Sequence, residues 1–105
     1  MGKKPRLKQE RLGGKLLQIR NTLGLSQTEM WRRLGVEDAI PQKQISKYEL
    51  GISEPPLLVV LLYARAAGVN MEALVDDKLD LPERLPDTTN HREIERRYAR
   101  RGGRK

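Results

Sequence analysis

LSQTEMWRRLGVEDAIPQKQISKYELG, residues 25–51, spells two short helices joined by a turn, with a polar face on the second. Ser26 followed by Glu29 is a capping box. The serine oxygen accepts from a free backbone N–H and the glutamate reaches back to the N–H of the cap. The first of the two helices is therefore expected to begin at Gln27. Its apolar residues Met30, Trp31 and Leu34 fall on one side at helical spacing, while Glu29, Arg32 and Arg33 point elsewhere. Gly35 ends it in a left-handed conformation. Pro41 suits the first position of a new helix, where its missing N–H is not needed, and it disfavours helical geometry at Ile40. The second helix is expected over residues 41–50, with Ile45 and Tyr48 inward and Gln42, Lys43, Gln44, Ser46 and Lys47 forming a polar surface. Gly51 is its natural stop.

Three more helices flank this pair. Leu12, Leu16, Ile19 and Leu23 recur at the spacing of a buried stripe and predict a helix over residues 12–23, closed by Gly24. After Pro56 a fourth helix runs to Ala67 and Gly68, and Asn70 is placed to cap a short fifth over residues 71–75. The following DDKLDLPERLPDTT, residues 76–89, has two prolines and several acids and reads as an extended linker, with Leu79, Leu81 and Leu85 as docking points. Asn90 and Glu93 repeat the capping-box pattern ahead of an arginine-rich helix whose apolar face holds Ile94 and Tyr98. The chain thus divides into a basic N-terminal arm (1–11), an all-α domain of five helices (12–75), and a linker with a basic C-terminal helix or tail (76–105). With 105 residues and only four aromatic side chains, the core is built from leucine, isoleucine, valine and alanine.

The net charge of +7 sits at the two ends. Residues 1–20 hold seven basic side chains against one acidic, and residues 87–105 hold seven against three. Residues 21–75 have five basic against six acidic, and residues 76–86 two against four. Basic arms flanking a neutral domain are suited to phosphate backbones, where they release counterions. The chemistry of an enzyme is missing: the single histidine, His91, lies in a charged tail with no second ligand nearby, there is no cysteine, and no glycine-rich phosphate loop occurs. No metal or cofactor is expected. The longest apolar run, residues 57–62, is too short to cross a bilayer and nothing reads as a signal peptide, which together with the absence of cysteine fits a cytoplasmic protein.

From residues 12 to 75 the chain resembles the helix-turn-helix domain of the phage Cro and repressor type, often called XRE. The resemblance rests on IRNTLGLSQ (19–27), LGV (34–36), ISKYELG (45–51), Pro55, and AxAxGV from Ala64 to Val69, in that order. It implies a five-helix, lambda-repressor-like fold and a set of roles. Gln27 matches a position that contacts a phosphate, with Ser46 a further phosphate candidate. Gln42, Lys43 and Lys47 match positions of the recognition helix that face base edges in the major groove, with Gln44 on its flank; glutamine can bond adenine in bidentate fashion and lysine can donate to guanine. Arg20 and Glu49 match a pair that bridges the first helix to the end of the recognition helix, expected here as a partly buried bidentate ion pair.

Three departures from the family pattern bear on that mapping. The turn at residues 36–41 is longer than usual. Trp31 stands where the family generally has alanine, and the longer turn, with Ala39 and Ile40, is expected to wrap over the indole. On the fourth helix Leu58, Val59 and Leu62 replace residues that are usually polar, and need cover either from a second subunit or from the linker leucines. The loop 52–54 lacks the family's basic residues, so phosphate affinity is expected from backbone N–H groups there or from the ends: Lys3, Lys4, Arg6, Lys8 and Arg11 in front, and Arg92, Arg96, Arg97, Arg100 and Arg101 behind. The resulting expectation is a sequence-specific regulator of transcription that binds double-stranded DNA as a homodimer on an inverted repeat and represses. The alternative is an antitoxin-like module whose tail binds a protein partner; a further one is an RNA-associated role, for which the arginine-rich tail is the only cue.

Overall fold

Five α-helices follow in chain order, α1 (Leu12–Leu23), α2 (Gln27–Leu34), α3 (Lys43–Glu49), α4 (Leu57–Ala67) and α5 (Met71–Val75). The computed structural model describes residues 7–83 and 85, and no strand occurs among them. The local signals act as the sequence predicts at most boundaries. Ser26 Oγ accepts from the Glu29 N–H at 3.0 Å while Glu29 Oε1 accepts from the Ser26 N–H at 2.8 Å. Gly24, Gly35 and Gly68 each close a helix with φ between 72° and 74°, a left-handed conformation that costs a side-chain-bearing residue free energy.

Two boundaries differ from expectation. α3 starts at Lys43 rather than Pro41, because Pro41 and Gln42 belong to a tighter first turn in which Pro41 O accepts from the Gln44 N–H (3.0 Å) and Gln42 O from the Ile45 N–H (3.1 Å). Asn70 has the extended backbone of a cap, yet its side chain makes no capping hydrogen bond; its carbonyl instead accepts from the Ala73 N–H.

α1 packs on α3, α4 and α5, and α2 on α3 and α4. Leu16, Ile19, Met30, Ile45, Tyr63 and Leu74 lie at the centre and are fully buried. The Tyr63 hydroxyl has no hydrogen-bond partner among the described residues, and burial pushes its phenol far above the ordinary value. Helix α4 buries Val59, Val60, Tyr63, Ala64, Ala66 and Ala67, which accounts for part of its nearly all-round apolar sequence and leaves Leu57 and Leu58 exposed.

The segment after α5 folds back as a strap. Leu81 and Leu85 enter the core, while Leu79 stays on the surface with its carbonyl turned to Arg11. The strap closes on the start of α1, where no side chain of the helix itself acts as a cap. Asp77 supplies the missing acceptor from 66 residues away, taking the Glu10 N–H at 2.9 Å and the Arg11 N–H at 3.1 Å. Arg11 in turn donates to the carbonyls of Asp77 and Leu79 and to Asp80 Oδ1 at 2.6 Å. The pattern for a last helix at Asn90, Glu93, Ile94 and Tyr98 lies outside the described residues.

Candidate nucleic-acid interface

Helix α3 turns Ile45 and Tyr48 into the core, which leaves its other faces outward. Lys43 is exposed, and Gln42, Gln44, Ser46 and Lys47 are half-buried along the helix. These five side chains make up the outward polar surface of α3, with Gln44 toward one flank, and carry amide, hydroxyl and ammonium groups able to donate and accept hydrogen bonds.

The helix is held at its two ends. At the C-terminal end of α3, Arg20 meets Glu49 in a bidentate pair, Nε to Oε2 at 2.6 Å and an outer guanidinium nitrogen to Oε1 at 3.1 Å. Only 15% of the arginine side chain and 4% of the glutamate side chain are exposed, so water screens the pair little. The Glu49 hydrogen bond pushes the Arg20 guanidinium further above its ordinary value, and Arg20 also donates to the Leu25 carbonyl at 3.0 Å. Gln27 Nε2 joins the same carboxylate at 3.2 Å, which ties the first turn of α2 into the network.

At the same end α3 is also held by close approach to α1. A methyl group on Gly13 of α1 would sit 2.8 Å from the carbonyl oxygens of both Tyr48 and Glu49, so only glycine lets the two backbones come this near. At the N-terminal end the longer turn is anchored to α2, since the Trp31 indole N–H donates to the Ile40 carbonyl at 2.7 Å. Ile40 and the half-buried Trp31 both pack against the core, whereas Ala39 is exposed.

Gln27 and Arg11, both expected to meet phosphate, are engaged within the fold, Gln27 on Glu49, and so is Lys15, for which no phosphate contact is expected. Arg11 is held by the strap. Lys15, 2% exposed, places its ammonium on the Ala73 and Asp76 carbonyls at 2.7 and 2.8 Å, where the C-terminal end of α5 carries partial negative charge. Burial, with the Arg11 charge adding to it, holds Lys15 below the usual lysine value. Sequence reasoning missed this role, although a signal was present: Lys15 lies three residues after Leu12 and four before Ile19, on the buried stripe itself. The N–H groups of the loop after α3 are also engaged, those of Ile52 and Ser53 with the Lys47 carbonyl at 2.9 and 3.3 Å and that of Gly51 with Tyr48 at 3.2 Å. The N–H groups of Ile52 and Ser53 are thus turned back onto α3, which favours the ends as the source of phosphate affinity. Lys8 is exposed. Lys3, Lys4, Arg6, Arg97 and Arg101 lie outside the described residues.

Of the fourth-helix residues expected to face a partner or the tail, Val59 is turned into the core, Leu62 is half-buried and Leu58 is exposed. Among the described residues no group of acids or histidines is placed to hold a metal ion, and no helix is long and apolar enough to cross a membrane.

No curated protein and no solved structure matches the chain at a significant level. A family model described as helix-turn-helix matches residues 16–74, more than half of the chain, and spans the paired helices together with the elements that hold them. The chain belongs to the XRE-type helix-turn-helix family of DNA-binding regulatory domains.

Proposed function

We propose that this protein reads a specific sequence in double-stranded DNA as a homodimer bound to an inverted repeat, and represses transcription in the cytoplasm by occluding a promoter. The observation that carries the reading is the outward polar surface of α3, fixed at its C-terminal end by the Arg20–Glu49 pair and the Gly13 contact and at its N-terminal end by the bond from Trp31 to the Ile40 carbonyl. In it Gln42, Lys43, Gln44 and Lys47 address base edges, while Gln27 and Ser46 address the backbone. The folded domain has little excess positive charge of its own, so Lys3, Lys4 and Arg6 in front and Arg97 and Arg101 behind supply the ionic part of the affinity.

The homodimer is supported by the surface just beyond the recognition helix. Leu50, Ile52, Leu57 and Leu58 are 70%, 68%, 73% and 63% exposed, within nine consecutive residues. A two-fold contact through this patch would cover it and pair two α3 helices across the roughly 34 Å between half-sites. Selection from a random duplex pool, with non-specific competitor at near-physiological salt, tests the reading. Enrichment of an inverted repeat is expected. Failure to enrich any sequence, with binding lost as salt rises, would overturn it.

A further inference from the structure

The turn between α2 and α3 is closed by local bonds: the Val36 carbonyl accepts from the N–H groups of Ala39 and Ile40 at 3.0 and 2.9 Å, and the Pro41 and Gln42 carbonyls accept from Gln44 and Ile45. Local bonds of this kind shape a turn but do not orient it against the preceding helix. The Trp31 indole does so, because its N–H reaches nine residues ahead to the Ile40 carbonyl at 2.7 Å. That carbonyl belongs to the peptide bond with Pro41, which is planar and stiff, so orienting it also orients the ring of Pro41 and the backbone entering Gln42 and Lys43. A partly buried bond at 2.7 Å, on a residue whose side chain packs against the core, restrains the direction of that carbonyl, and the indole supplies the donor.

We propose that Trp31 is a positioning residue for DNA recognition: by holding the Ile40–Pro41 peptide it sets where Gln42 and Lys43 stand, and so sharpens discrimination between base sequences. The inference rests on the DNA-reading function proposed above. Trp31 acts through the turn and does not itself touch a base. A displacement of about an ångström at the first turn of α3 is enough to break a bidentate base contact, whereas phosphate contacts tolerate it.

Trp31 is the only tryptophan in the chain, so replacing it with 3-benzothienylalanine, which has the same bicyclic shape but no N–H, deletes the bond alone. Trp31→Phe serves as the genetic counterpart. Two quantities are measured on full-length protein: amide hydrogen exchange at Gln44 and Ile45 against Leu50, and the ratio of affinities for the selected duplex and a scrambled one. Faster exchange at Gln44 and Ile45 with Leu50 unchanged, and a ratio lowered by tenfold or more, roughly the worth of one bidentate base contact, are expected. Affinity for the scrambled duplex and the melting temperature stay near those of the unmodified protein. Unchanged exchange, or a ratio that holds despite faster exchange, would overturn the proposal. The exchange arm needs no DNA, so lack of discrimination by the unmodified protein would instead overturn the DNA-reading function.

Discussion

Gly13 and Gly14 are adjacent in one helix and in opposite situations. A methyl group at Gly13 meets two backbone carbonyls of α3 at 2.8 Å, while one at Gly14 meets nothing within 4 Å. Gly13→Ala is accordingly expected to cost roughly 1 to 3 kcal/mol through forced separation of α1 and α3. Gly14→Ala is expected to stabilise by about 0.5 to 1 kcal/mol by removing backbone freedom from the unfolded chain. Urea denaturation of the two variants reads the difference, and equal effects would contradict the close approach. Glu49 is the second critical residue, because its carboxylate serves both Arg20 and Gln27. Glu49→Ala is expected to cost roughly 3 to 5 kcal/mol, since it strands a largely buried guanidinium. A melting temperature unchanged from wild type would show the pair to be energetically idle. The Arg20–Glu49 partnership was legible in the sequence only through the family resemblance, and the part played by Gln27 was not, because a glutamine at the start of a helix gives no sign of which neighbour its amide will reach.

At the scale of elements, helix ends were legible where one residue type has one physical use: a serine with a glutamate three residues on, or a glycine after an apolar stripe. The start of α3 was less so. Proline at its first position and proline just ahead of a tight turn give the same sequence, and the backbone bonds of Pro41 and Gln42 choose the second. The sequence of the strap shows a linker with docking leucines but not its hold on the start of α1, since contacts across 61 to 69 residues leave no periodic trace. Two expectations follow for it. Leu85→Ala, at a fully buried site, is expected to cost roughly 2 to 5 kcal/mol, and Leu79→Ala, on the surface, no more than about 0.5 kcal/mol. Similar losses in thermal melts would mean that the strap does not dock as described. The second concerns acid. The Glu10 backbone N–H holds Asp77 below the usual carboxylate range, and the bonds to Ser26 do the same for Glu29. As pH falls the unfolded chain therefore takes up protons first, so the stability these groups contribute is complete above about pH 4 and lost as pH drops through their folded values. Asp77→Asn is expected to be less stable than wild type at neutral pH and to converge with it in acid, when urea midpoints are compared across pH. A constant offset at every pH would assign the loss to packing rather than charge.

At the scale of the whole molecule the charge is less available than its total implies. Of the seven basic side chains in residues 1–20, Arg11, Lys15 and Arg20 are bound within the fold, where they join α1 to the strap, to α5 and to α3. Helix α1 thus works chiefly as a spine for α3, and only part of the charge counted in residues 1–20 is left for DNA. The proposed function divides the labour accordingly, with a fixed α3 for sequence and the basic ends for affinity. The most direct test of this account is a set of binding isotherms for wild type and Gln42→Ala on the selected inverted repeat and on its single-base-pair variants, at fixed salt. The account predicts that Gln42→Ala weakens binding to the repeat by roughly 1 to 3 kcal/mol and abolishes discrimination at one base pair in each half-site, leaving the other positions as selective as before. Weakening by the same factor on every duplex, or no change on any, would contradict it, because Gln42 would then read no base.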